Sequence, residues 1–396
     1  MNPKVGVGCS KISDRARKYV NQALDNPWFI HGQFVKRLEQ EFSALHGCKF
    51  GLVTNSGTSS LHIAIQALKE LHGWKDGDEV LVPSVTFVAT ANVVIHNRLR
   101  PVFVDVEKDY YGMDPHLIEQ KITPKTRAII PVHLFGQPCD MESIMKIARK
   151  HKLKVVEDSC ETMFASFKGK AVGSWGDIGC FSLYVAHILS AGVGGINTTN
   201  NPAYHDRLRS LMNHGRDTVF IDIGDDKNKS EDDLRDIIAR RFSFVNVGHS
   251  FRVTEMEGAI ACAELEERDH NLRQRKKNAR YLIDNLADVK QIQLPKTRSG
   301  ADHSFMMFPI VVRNEAKTKL VNYLEKNGVE TRDMLPLVNQ PIYQKLYGTK
   351  ESDYPIAQWI NQGGFYVGCH HHLKKEGLDR IVRLIKAYFE EQNESV

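Results

Sequence analysis

No stretch of the 396-residue chain approaches the run of about 18 apolar residues that reads as a membrane span. The N-terminus, Met1-Asn2-Pro3-Lys4-Val5-Gly6, has no apolar leader core. Cysteine is scarce: the seven residues are an odd number, widely scattered, without a Cys-x-x-Cys pair. Neither a disulfide framework nor a zinc site nor an iron–sulfur cluster is therefore expected. The run Cys369-His370-His371-His372 invites a metal reading. Three adjacent histidines on a regular element cannot all face one ion, so no metal site is expected there. An excess of one charge is lacking too. The 53 Lys and Arg stand against 48 Asp and Glu, leaving +5, too little to imply a nucleic-acid partner. The basic run at 146–154 reads as a solvated helix face. These absences predict a cytoplasmic globular protein without nucleic-acid or membrane partners. At about 100–200 residues per domain, the length predicts two domains.

What is present, from about residue 48 to 200, is alternation of short β-rich segments with helical patterns. Strands are predicted at 50–54, 79–82, 101–106 and 153–157, with a nearly unbroken apolar run at 128–134. Helices are predicted at 58–71, 86–95 and 141–151, and two more strands at 178–184 and 194–198 around a tight turn. Such alternation argues for βαβ units, an α/β fold and a mainly parallel sheet covered on both faces. Sheets of this kind bind ligands beyond the carboxyl ends of their strands. The polar stretch 224–241 reads as a surface loop running into a helix. Its acidic spacing resembles a calcium loop that lacks the glycine for the sharp turn. A long helix at 264–286 leads into a second domain, with a strand at 305–312 and helices at 317–327 and 378–389.

Three motifs could carry chemistry. Asn55-Ser56-Gly57-Thr58-Ser59-Ser60 lies between a strand and a helix. A glycine there lets backbone approach a ligand, and the helix N-terminus offers N–H groups to a phosphate, supplemented by the hydroxyls of Ser56, Thr58 and Ser59. Taken alone, the same turn is equally an ordinary N-cap. Val155-Val156-Glu157-Asp158-Ser159-Cys160-Glu161 places carboxylates just past a buried strand end. Asp158 could hold a cationic ring nitrogen there, and without such a partner its buried charge would be costly. It could equally be a loop carboxylate capping a helix. The third motif runs from Phe181-Ser182 through His187 to Gly192-Val193-Gly194-Gly195. A lone histidine such as His187 is by itself usually structural.

Together these motifs resemble the DegT/DnrJ/EryC/StrS family, the sugar-modifying pyridoxal phosphate (PLP) enzymes of the aspartate aminotransferase superfamily. The resemblance extends over nearly the whole chain. It includes His31-Gly32-Gln33-Phe34-Val35, Val82-Pro83-Ser84-Val85-Thr86-Phe87, Asn213-His214-Gly215-Arg216-Asp217 and Phe251-Arg252-Val253-Thr254-Glu255. It implies a type I PLP-dependent aspartate aminotransferase-like fold. A large mainly parallel-sheet domain would span 1–264, and a smaller C-terminal α+β domain 265–396. Gly57, Thr58 and Ser182 would bind the cofactor phosphate, and Phe87 would stack on the pyridine ring. Asp158 would pair with the protonated ring nitrogen, and Glu161 would lie near the ring hydroxyl. Ser250 and Arg252 would reach the site from the second subunit of a homodimer. Ser250 departs from the asparagine usual there.

The larger departure is His187, which stands where the family's aminotransferases carry the lysine that binds the cofactor covalently. No lysine falls between Lys170 and Lys227. An imidazole forms no Schiff base, so PLP or its aminated form PMP would be held non-covalently, while His187 can still move protons. Histidine here, with glutamate at 161, resembles the branch of sugar 3-dehydratases that act on 4-keto-6-deoxy nucleotide sugars. That branch implies His187 as catalytic base, loss of the C3 hydroxyl, and glutamate as the expected amino donor. The other readings are a nucleotide-sugar aminotransferase whose lysine has been replaced by histidine, and a non-catalytic binding protein on the same scaffold.

Overall fold

The computed structural model describes residues 4–9, 11–26, 29–217, 229–313 and 316–393. Seven strands form the main sheet: β1 (Phe50–Thr54), β2 (Glu79–Pro83), β3 (Arg100–Val104), β4 (Thr126–Ile129), β5 (Lys154–Asp158), β6 (Ile178–Ser182) and β7 (Gly195–Thr199). Their order is β1-β7-β6-β5-β4-β2-β3. Neighbours from β3 through β6 pair in parallel, whereas β7 is antiparallel to both β1 and β6. All five residues of β6 and of β7 are buried, as strands covered on both faces must be.

Local chemistry sets the element ends. Helix α1 (Asp14–Leu24) and helix α2 (Gln33–Leu45) precede the sheet. Helix α3 (Gly57–His72) starts where the Ser56 side chain accepts from Ser59 N, and stops at Gly73, whose φ of 64° suits glycine. Its buried residues Leu61, Ile63, Ile65 and Leu68 each contribute about 2 kcal/mol by leaving water. Helix α4 (Ala89–His96) begins three residues after the expected start at 86. Thr86 N instead donates to Leu335 O, which keeps Thr86 and Phe87 in a loop. The apolar run at 128–134 is strand only through Ile129. Beyond it, Pro131 has no N–H to extend the ladder, and its carbonyl accepts from Asp158 N. The strands expected around a tight turn are present, but the whole segment 183–194 separates them. Of the polar stretch 224–241, residues 224–228 lie outside the described residues, and Glu231–Arg240 is helical.

Helix α5 (Glu255–Leu286) starts nine residues earlier than the expected 264. Thr254 and Glu257 form a capping box there, and the Glu255 carboxylate accepts from Phe34 N (2.8 Å) and Val35 N (3.0 Å) at the start of α2. The helix passes through two apolar cores. Ala259, Ala261, Cys262 and Leu265 pack in the core beside the main sheet. Ala279, Leu282 and Leu286 pack in a second core under an antiparallel sheet of β8 (Ile292–Gln293), β9 (Met307–Val312), β10 (Thr331–Asp333) and β11 (Gly364–Gly368). Helix α6 (Lys375–Asn393) closes the second core with Leu378, Ile381 and Ile385. Val5, near the N-terminus, also packs in this second core, its N–H donating to Gly328 O. Among the described residues no helix is long and apolar enough to cross a membrane.

Candidate active site

The carboxyl ends of β5 and β6 and the N-terminal turns of α3 and α4 converge on one cavity of about 470 Å³. This is the crevice where open α/β sheets bind ligands. Eight residues singled out in the sequence line it together: Ser56, Gly57, Thr58, Phe87, Asp158, Glu161, Ser182 and His187. Ser59 does not line it, contrary to expectation. Its hydroxyl is engaged within the turn, donating to Asn55 Oδ1 at 2.6 Å and bonded to Ser56 Oγ at 2.9 Å. Ser250 and Arg252 also lie off this chain's cavity, with Arg252 Nη2 donating to Ser250 Oγ at 3.1 Å.

Asp158, the last residue of β5, is 4% exposed. Its carboxylate accepts from Thr90 Oγ1 (2.8 Å) and Cys160 N (3.2 Å). Burial raises its pKa in spite of these two bonds. Thr90 was not marked by sequence reasoning. The signal was available, because Thr86 and Thr90 stand four apart at a helix start and their hydroxyls meet at 2.9 Å. Glu161 is half-buried, accepts from Phe135 N at 3.1 Å, and is pushed up to about 7, first by burial and further by the nearby Asp158. At neutral pH a large fraction of it carries a proton.

His187 sits in the 183–194 segment, its N–H donating to Tyr184 O at 2.9 Å and its ring edge-on to Tyr184 at 5.8 Å. Its Nδ1 is buried without a partner. Burial, then the charge of Arg275, lowers its pKa to about 4, so the ring is neutral at physiological pH and its nitrogen lone pair is free to accept a proton. Among the described residues that line the cavity there is no lysine.

Residues 10–386 match the DegT/DnrJ/EryC1/StrS aminotransferase family. The chain belongs to this family. The chain is 33% identical over 378 residues to a UDP-N-acetyl-3-dehydro-alpha-D-glucosamine 3-aminotransferase of Acidithiobacillus ferrooxidans, covering 95% of this chain and 94% of the relative. It is 31% identical over 386 residues to the GDP-perosamine synthase of Caulobacter vibrioides, covering 96% and 97%. Its fold superposes with a TM-score of 0.87 on an Escherichia coli GDP-4-keto-6-deoxy-D-mannose-3-dehydratase solved with bound hydrated PLP, at 25% identity over 96% of this chain and 99% of that one. The family is one of PLP-dependent, sugar-modifying enzymes, and the α/β architecture with its large, mainly parallel sheet is the aminotransferase-like fold.

The cavity's own residues fit such a cofactor. Asp158 is a buried carboxylate whose two hydrogen bonds are both from neutral donors, an arrangement that a cationic ring nitrogen completes. Phe87 leaves an apolar ring 54% exposed at the cavity, free to stack. Gly57 keeps the cavity open at the first turn of α3. A Cβ there would come within 2.8 Å of Ser182 Cβ and 2.9 Å of Cys160 Sγ. Among the described residues no group of three or more His, Cys, Asp and Glu is placed to hold a metal ion, the Cys369–His372 run included.

Proposed function

We propose that this chain is a PLP/PMP-dependent 3-dehydratase that removes the C3 hydroxyl of a 4-keto-6-deoxy nucleotide sugar, with His187 as catalytic base. The observation that carries the reading is a neutral, buried histidine in a cavity whose lining contains no lysine. In this reading the cofactor is held non-covalently. Asp158 faces its ring nitrogen, Phe87 its ring face, Glu161 its ring hydroxyl, and Gly57, Thr58 and Ser182 its phosphate. When bound, PMP supplies a conjugated electron sink next to the sugar's C4 carbon. With the cofactor held there, His187 would accept a proton at its imidazole nitrogen and return it to the departing C3 hydroxyl, so that water would leave and the imidazole would be restored. An unprotonated imidazole suits the first half of that step, and the imidazolium it becomes suits the second. The product is a 3-deoxy-4-keto sugar with ammonia released, and glutamate is the amino donor that restores PMP.

The same reading is of a cytoplasmic homodimer, divided into domains at 1–264 and 265–396. Ser250 and Arg252, which lie off this chain's own cavity, reach the partner's cofactor phosphate. A nucleotide-sugar aminotransferase is the second reading, favoured by the names of the relatives quoted above. Its weakness is the absence of a lysine amine to hold the cofactor and shuttle the proton.

Incubating the protein with PLP, glutamate and a panel of 4-keto-6-deoxy nucleotide sugars, followed by mass spectrometry, tests the choice. Loss of one hydroxyl oxygen supports the dehydratase, and gain of an amine supports the aminotransferase. An absorbance spectrum without any bound cofactor sinks both.

A further inference from the structure

Arg275 lies midway along α5, between the two apolar cores, and is 2% exposed. Among the described residues no carboxylate lies within ion-pair distance of its guanidinium. Nη1 donates to Met306 O at 2.8 Å, Nη2 donates to His187 O at 3.3 Å, and Nε is buried without a partner. Burial lowers even its pKa, to about 10. No carboxylate pairs with this buried charge directly, the attraction of Glu264 acting only at a distance, and a neutral amide donor would bind the two carbonyls without the desolvation. The charge therefore has some other use, and both hydrogen bonds point to it. One holds the backbone of His187 and the other holds the residue just before β9. The guanidinium thus ties the segment carrying the base to the second sheet.

We propose that Arg275 is the positioning residue of the catalytic base: it clamps the His187 segment to the second sheet and, by its unpaired charge, keeps the imidazole unprotonated. The inference rests on the reading of His187 as the base. Other groups also face this ring. Tyr184 lies edge-on to it, and Asp158, Glu161 and Tyr366 share the cofactor cavity with it. On its far side His187 also lines a smaller cavity of about 80 Å³ with Cys9, Lys11, Glu264, His371 and His372. Of the charged groups around the ring, Arg275 is the one that also bonds the backbone of His187 itself. After burial, its charge is the main influence lowering the pKa of His187.

The test is an NMR titration of the full-length protein labelled at histidine, with the His187 signal assigned by its loss in His187→Asn. In the unsubstituted protein His187 titrates well below the ordinary histidine range. In Arg275→Gln its protonated fraction at a given pH rises about tenfold, equivalent to one pH unit in the midpoint. Arg275→Lys keeps the charge and leaves the midpoint near the original. An unchanged midpoint in a folded Arg275→Gln overturns the proposal. If that variant does not fold, the measurement on the unsubstituted protein still decides, because a midpoint at or above about 6.5 overturns the proposal. The titration needs no turnover. Absence of dehydration in the unsubstituted enzyme therefore counts against the proposed function, whereas an unmoved His187 counts against Arg275.

Discussion

Glu157 and Asp158 are consecutive residues of one strand, and both are buried, yet their surroundings differ throughout. Successive side chains of a strand point to opposite faces. The Glu157 carboxylate accepts from Gly173 N (2.8 Å), Gly176 N (2.7 Å) and His133 Nε2 (3.1 Å). Its histidine partner is just as complete, because Cys139 N donates to His133 Nδ1 at 3.0 Å and so fixes the proton on Nε2. Asp158 accepts two bonds and opens on a cavity, and His187 leaves a ring nitrogen without a partner. A saturated acid–histidine pair is architecture. A deficient acid and a deficient histidine that share a cavity have their valences left for a ligand.

Substitution at the two histidines breaks the comparison most sharply. His187→Asn is expected to lower dehydration by about 10³-fold, the scale of a lost general base. Its thermal unfolding should stay close to that of the parent, because the ring makes few bonds to lose. His133→Asn is expected to cost about 3 kcal/mol of stability and to retain activity per folded molecule. Rates by mass spectrometry and unfolding by calorimetry check both.

The neighbouring acids should divide in the same way. Glu157→Gln leaves three donors facing an amide that can accept from only some of them, and about 3 kcal/mol of stability should be lost. Asp158→Asn should lower the rate by about 100-fold, as the ring nitrogen loses its counter-charge. The cofactor-free form of that variant should be no less stable than the parent, because a costly buried carboxyl has been neutralised.

A pH series sharpens the contrast further. Burial lifts the Glu161 carboxyl from 4.5 to about 7, so the folded protein holds that proton longer than the unfolded chain does. Its contribution to stability is therefore full below about pH 4.5 and is lost as pH rises towards 7. Glu161→Gln should remove about 2 kcal/mol of that decline in the cofactor-free protein, read as a flatter plot of melting temperature against pH. The smallest effect is expected from Thr90→Val, which removes one hydrogen bond to Asp158. Cofactor affinity should weaken by about fivefold, or roughly 1 kcal/mol, in an absorbance titration.

All strands of the main sheet but β4 were legible in the sequence to within one or two residues, because strands buried on both faces read as short apolar runs. Departures appear where backbone is diverted to the site. Residues 86–88 stay out of α4 so that Thr86 and Phe87 can line the cavity. The chain after Ile129 leaves regular strand pairing around Pro131 and keeps a single bridge, Val132 with Asp158. The start of α5 was missed although its capping box, Thr254 with Glu257, is a local signal; what the sequence hides is the tie of Glu255 to α2, a helix far away along the chain. Ser56, Gly57, Thr58, Asp158, Glu161, Ser182 and His187 were visible because each falls at a strand end or in the segment that follows, whereas Phe87 was visible only through the family resemblance. Arg275 carried no local signal. A basic residue in a long polar helix looks solvated until tertiary packing closes over it.

That helix also constrains how the chain can change. Glu255 anchors its first turn to α2, and Arg275 reaches the His187 carbonyl from its middle. Each added residue would rotate everything after it by about 100°. A single insertion between those two positions would leave the cap intact and swing the guanidinium away from the carbonyls it holds. The exposed face of α5 can therefore drift in composition, but the stretch from 255 to 275 is held to a fixed number of residues.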